Sequence, residues 1–186
     1  EAQRAAIIAR SSGGAAAAGY DDSTAAGALV RAEASKGVGG GEEVMEGGDE
    51  VALTRNDVYL WQDKYRPRKP RYFNRVKTGY DWNKYNQAHY DHTNPPPKTV
   101  QGYKFNVFYP DLIDKTKAPT YTIMPDGSKH GETCILRIHA GPPYEDIAFK
   151  IVNKEWEYSN KKGFRCSFER GIFHLYINFK RARYRR

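Results

Sequence analysis

The stretch FRCSFERGIFHLYINFK, residues 164–180, reads as two β-strands folded back on each other. Phe164, Cys166 and Phe168 alternate with Arg165, Ser167 and Glu169, and the alternation resumes in Phe173, Leu175, Ile177 and Phe179. A period of two places one set of side chains on one face of a sheet and the other set on the opposite face. The Arg170-Gly171 pair between the runs supplies the turn of a hairpin. Phe164, Cys166 and Phe168 are therefore expected to face a core, with Arg165 and Ser167 pointing away.

The same pattern extends upstream. Tyr103, Phe105, Val107 and Tyr109 alternate through residues 100–110, and the β-prone run 120–124 is turned back by Pro125-Asp126-Gly127. Cys134, Leu136 and Ile138 share one face of residues 134–140, opposite Arg137 and His139; Gly141-Pro142-Pro143 is a loop, and residues 146–153 form another strand. About six short strands without intervening helices predict a mainly β unit over residues 100–186, an antiparallel sandwich or small barrel.

Residues 51–99 read as a short N-terminal helix followed by an extended basic arm. From Asn56, with that residue or Thr54 as cap, Val58, Trp61 and Tyr65 recur at spacings of three and four until Pro67 and Pro70 stop the helix. The arm, KYRPRKPRYFNRVK at residues 64–77, interleaves cations with Tyr65, Tyr72 and Phe73, and its prolines favour an extended course. Residues 78–92 carry Tyr80, Trp82, Tyr85 and Tyr90 in a pattern that suits a short helix or a loop, and Asn94-Pro95-Pro96-Pro97 is a rigid connector. Residues 1–50 differ in kind. Residues 1–10 read as the tail of a helix, which sets the expectation of a longer chain upstream. Residues 11–50 are low in complexity, with runs of Gly and Ala and acidic pairs, and read as a flexible linker open to ordering by a partner.

Charge is as uneven as complexity. Residues 1–50 hold four Lys/Arg against nine Asp/Glu, whereas residues 51–186 hold 26 against 13, together with 13 of the 14 tyrosines and all three tryptophans. A region both basic and aromatic can meet a polyanion, with charge for phosphates and flat faces for bases. The plainer reading is aromatics in a core under a soluble basic surface. Arg66, Arg68, Lys69, Arg71, Arg75 and Lys77 form the densest cluster, and arginine forks match phosphate geometry. These six, with Arg181, Arg183, Arg185 and Arg186 at the basic C-terminal end, are the expected contacts to RNA or to an acidic partner surface. The alternative for the arm is a solvated strap across the β-unit.

Catalytic readings are weak. His89, Asp91 and His92 are too few to make a metal site without a further ligand, and the carboxylates Glu145-Asp146 and Glu155/Glu157 are of a kind common on exposed loops. Gly39-Gly40-Gly41 lacks the Lys-Ser/Thr of a phosphate loop. Cys134 and His139 are five residues apart, on opposite faces of one strand. No enzyme activity, metal or cofactor is expected. The two cysteines, Cys134 and Cys166, behave as small hydrophobes in apolar runs and fit a reducing compartment. No apolar run approaches the ~20 residues that span a bilayer, and Ile7-Ile8 is too short for a signal-peptide centre. A soluble intracellular protein is expected.

Specific segments go further than pattern. KYRPRKPRYFNR at residues 64–75, DWNKYNQAHY at 81–90, NPPPKTVQGYKFNVFYPDLID at 94–114, AGPPYEDIAFKIVNKEWEY at 140–158 and the closing FKRARYRR resemble the C-terminal domain of the cactin family. The resemblance runs from about Trp61 to Arg186; the acidic, glycine-rich upstream stretch and residues 116–132 lie outside it. It implies a non-enzymatic structural component of the spliceosome, located in the nucleus, acting in pre-mRNA splicing and docking on spliceosomal proteins and on spliceosomal RNA or pre-mRNA. It also implies an alternative, a signalling adaptor that binds an ankyrin-repeat inhibitor of Rel/NF-kappa-B transcription factors. No membrane and no small-molecule substrate enter either reading.

Overall fold

The computed structural model describes residues 24–37, 39–45, 49–53 and 64–181. The helix expected from Asn56, the expected helix tail at residues 1–10 and the terminal Arg183, Arg185 and Arg186 lie outside the described residues. The hairpin expected over residues 164–180 is present as β10 (Arg165–Glu169) and β11 (Ile172–Phe179), in antiparallel register from Glu169↔Ile172 to Arg165↔Tyr176. Its turn has Arg170 at φ 53° and Gly171 at φ 78°. Positive φ at both central positions is the geometry that matches a hairpin's twist, and glycine adopts it without penalty.

Strand β11 lies beside β5 (Thr99–Phe108), which pairs in turn with β4 (Arg75–Gly79) and, at its far end, with β3 (Arg71–Tyr72). With β1 (Glu42–Val44) beside β4, and β9 (Trp156–Glu157) beside β11, these make a seven-stranded sheet. A second sheet has the order β2 (Glu50–Val51), β8 (Ile147–Val152), β7 (Thr133–His139) and β6 (Thr120–Pro125). All the strand pairs are antiparallel. The two sheets stack as a sandwich, and no closed barrel forms. Between them Tyr103, Phe105, Val107, Phe173, Leu175 and Ile177 meet Leu136, Ile138, Phe149 and Ile151 in one buried cluster. Burying such side chains stabilises the fold by about 1.5–3 kcal/mol each.

Two sequence expectations need correcting. Cys166 is exposed. It pairs with Leu175, whose side chain is core, so the strand parity holds. But β10 is an edge strand, and at an edge the inward face is only partly covered: Phe164 and Phe168 pack on the core while remaining half-buried. The second correction concerns the stretch read as a flexible linker. Within it, residues Ala25–Ser35 form helix α1, capped by Thr24, whose hydroxyl accepts from the Gly27 N–H at 3.1 Å. One face of α1 buries Val30 against Phe73 and Phe108 on the outer side of the large sheet. Residues 42–44 and 50–51 add strands, so regular β-structure begins well before residue 100.

Candidate nucleic-acid interface

Strand β5 carries the expected basic arm at one of its ends. Arg71 pairs with Phe108, and Arg68 is stitched to the loop before β8 by hydrogen bonds from its N–H to the Pro143 carbonyl (3.0 Å) and to its own carbonyl from Glu145 (2.8 Å). The cations here have partners within the chain. Arg68 donates to Asp111 at 2.9 Å and lies over the Tyr144 ring, and Lys69 meets Glu50 at 3.2 Å. Arg75 is internal at 5 % exposure, paired with Glu33 and donating to the Gly37 carbonyl at 3.0 Å. The sequence placed Arg75 on an unburied arm ahead of the β-unit; instead it sits in β4, where the face covered by α1 takes it out of water. Arg66 is exposed, and Arg71 is half-buried with partners of its own.

Lys77 and Arg181 belong elsewhere. At about 3.3 Å per residue the opposite end of β5 is roughly 25–30 Å from the arm, and there a cleft of about 940 Å³ opens. Its lining includes Lys77, Lys84, Lys154, Lys162, Lys180 and Arg181, against one carboxylate, Asp81. Five separate segments supply these cations: β4, the start of helix α2 (Lys84–His89), the β8–β9 connection, the 3-10 turn Asn160–Lys162 that follows β9, and the chain leaving β11. Tyr80 and Trp82 stand in its wall.

The cleft is held open by specific bonds. Asn178 donates from Nδ2 to the Lys162 carbonyl at 2.5 Å and accepts from Lys77 Nζ at 3.4 Å, tying the 3-10 turn and β4 to β11. Gly102 permits this packing, because a Cβ there would lie 2.3 Å from the Ile177 carbonyl oxygen and 2.8 Å from Asn178 Oδ1. Lys180 pairs with Glu155 at 2.9 Å and Lys162 with Glu157 at 3.5 Å. The Glu155 hydrogen bond and charge hold Lys180 above the usual lysine value, so it stays cationic. Exposed pairs of this kind are weak and screened by solvent. The aromatic wall is fixed from behind: Asn83 caps α2 by accepting from the Asn86 N–H at 2.8 Å, and Gln87 Nε2 donates to the Trp82 carbonyl at 3.2 Å.

The remaining candidates resolve into structure. His89 lies against Tyr85 at 4.4 Å with the rings tilted by 43°, and His92 and Trp82 meet edge to face, while Asp91 accepts from Thr93 and Asn94 in a turn. Among the described residues no group of three His, Cys, Asp or Glu side chains is placed to hold a metal. His139 pairs with Asp146 at 2.5 Å, and Cys134 is buried. Lys84, Lys154, Lys162 and Lys180 were not legible as site residues. Each is isolated in the sequence or hidden in a longer basic run, and only the fold gathers them.

Comparison with known proteins places the chain in a family. A family profile described as "Cactus-binding C-terminus of cactin protein" matches residues 61–186. The chain is 69 % identical over 160 residues to "Splicing factor Cactin" of Arabidopsis thaliana, covering 84 % of this chain and 22 % of that protein. It is 59 % identical over 166 residues to the Homo sapiens protein of the same name (89 % and 21 %) and 51 % over 129 residues to that of Schizosaccharomyces pombe (64 % and 25 %). The chain thus spans a quarter or less of these relatives.

Proposed function

The chain belongs to the cactin family, and from that premise we propose that it is a non-enzymatic structural component of the splicing machinery, docking on spliceosomal proteins and RNA in the nucleus. The relatives' shared name, splicing factor, supports the process. The observation that carries the RNA contact is the cleft, where six cations from five segments converge beside two aromatic side chains. Phosphate contacts dominate the affinity of nucleic-acid binders, and clustered Lys/Arg with aromatic faces is what a single strand requires. Lys77 and Arg181 serve RNA in this reading. Arg66, Arg68 and Lys69, at the far end of β5, serve an acidic protein surface, the pairs of Arg68 with Asp111 and Lys69 with Glu50 yielding to a partner's carboxylates. Arg183, Arg185 and Arg186 follow Arg181 in sequence and extend the RNA contact.

A second reading has one observation in its favour, the family description's reference to Cactus binding. In it the chain is a signalling adaptor for an ankyrin-repeat inhibitor of Rel-type factors. The test is recovery of RNA from splicing-competent nuclear extract with the tagged chain. Enrichment of spliceosomal RNAs and pre-mRNA, reduced by charge reversal in the cleft, is the expected result. Recovery of an ankyrin-repeat protein with no RNA above background would favour the adaptor instead.

A further inference from the structure

The aromatic wall of the cleft has a role that charge does not fill. Trp82 meets His92 at 5.6 Å with planes 60° apart and Tyr80 at 6.0 Å with planes 59° apart. Neither contact is face-to-face, so the three rings make a tilted cluster and not a closed stack. Lys98 lies over the Tyr80 ring at 5.9 Å, and Tyr80 is 38 % exposed. The loop bearing these rings is pinned by side-chain bonds to the carbonyls of Asp81 and Trp82 from Asn86 and Gln87, so little ordering is left to be done on binding.

Resting on the RNA reading above, we propose that the cleft is specific for unpaired RNA: phosphates lie along Lys77, Lys154, Lys180 and Arg181 while a base stacks on Trp82. Size argues the same way. Duplex-RNA modules reach across about 16 base pairs and two successive minor grooves, whereas this cleft of about 940 Å³ sits at one end of one sheet. It has room for a few nucleotides with their bases turned out. Stacking on an aromatic ring does not depend on which base is present, so the site reads strandedness and not sequence.

The test uses the full 186-residue chain and four fluorescein-labelled probes: an eight-nucleotide single-stranded RNA, the same RNA as a duplex, an abasic strand of equal length, and a glutamate-rich peptide. The single strand should bind at least tenfold tighter than the other three. Trp82→Ala should weaken it roughly tenfold or more, as expected for one stacked base, and leave the abasic strand unchanged. Trp82→Phe should restore most of the affinity, which separates stacking from loss of fold. Equal binding of single strand, duplex and abasic strand, indifferent to Trp82→Ala, overturns this inference and leaves a plain phosphate-binding cleft. Failure to bind any RNA overturns both the inference and the RNA reading, and preference for the peptide reassigns the cleft to a protein partner.

Discussion

Glu33 and Arg75 form an ion pair at 3.2 Å with side chains only 3 % and 6 % exposed. Arg75 also donates to the Glu33 carbonyl at 3.1 Å, and its guanidinium covers the Phe73 ring at 4.8 Å. One arginine therefore closes the end of helix α1 and fastens it to β4. A buried pair is costly to break from one side, because the survivor keeps its charge, here with only the largely exposed Lys36 at 2.8 Å left to offset it. Arg75→Leu should destabilise the chain by about 3–5 kcal/mol, read as a lowered urea midpoint. The double variant Glu33→Met/Arg75→Leu should recover much of that loss. Equal midpoints for parent and Arg75→Leu would mean that α1 does not dock.

Acid should loosen the same face in two stages. Burial, and then the charge of Arg165, lowers the His174 pKa below 6.5, so His174 is neutral when folded. The unfolded chain takes up the proton more readily, and stability falls as pH drops through 6.5 toward the folded value. For Glu33, burial alone would raise the pKa, but hydrogen bonds and charge from Lys36 and Arg75 together hold it below 4.5. Its contribution is present above 4.5 and lost as pH falls through the folded value. Away from this face, in the turn between β6 and β7, Asp126 is held at about 2 by hydrogen bonds from Thr133 and Ser128 and adds a separate loss between 3.8 and 2. In thermal melts across pH, His174→Gln should remove the upper stage and Glu33→Gln the next.

Truncation in the core should follow cover and not residue type. Phe105, fully buried and stacked on Phe149 at 5.4 Å, should cost about 3–5 kcal/mol as Phe105→Ala. Phe168, half-buried on the edge strand, should cost roughly 1–2 kcal/mol, since less apolar surface is re-exposed. Equal losses in chemical denaturation would show that the β10 edge is covered after all.

At residue 102 the addition of one carbon should be felt. Gly102→Ala forces a Cβ into the Ile177 carbonyl, and overpacking of this kind costs about 1–3 kcal/mol. Because the displaced strand carries Asn178, amide exchange should rise around Lys162 and Lys77 as well as in β5. Exchange unchanged at Lys162 would uncouple the cleft from the β5–β11 contact.

The sandwich was legible because its strands alternate over long runs; residues 100–110, 134–140 and 172–180 needed only a period of two. What lay hidden depended on neighbours distant in sequence. Helix α1 has a weak apolar stripe, and its order comes from Glu33 meeting an arginine that is 42 residues away. The exposure of Cys166 follows from β10 being last in its sheet, which no local pattern records. For the site, density along the chain found the arm, where the cations are spent on Asp111, Glu50 and Glu33. The cleft was missed because Lys84, Lys154, Lys162 and Lys180 become neighbours only through the fold.

RNA affinity across a salt series tests the central claim most directly, comparing the parent with Lys154→Glu/Lys180→Glu/Arg181→Glu and with Arg68→Glu/Lys69→Glu/Arg71→Glu. Each phosphate neutralised on a single strand contributes a logarithmic slope of about −0.7. The cleft variant should bind more weakly and flatten the slope by roughly two units, while the arm variant keeps the parent's slope. Undetectable or salt-independent binding by the parent, or a slope flattened only in the arm variant, would contradict an RNA contact in the cleft.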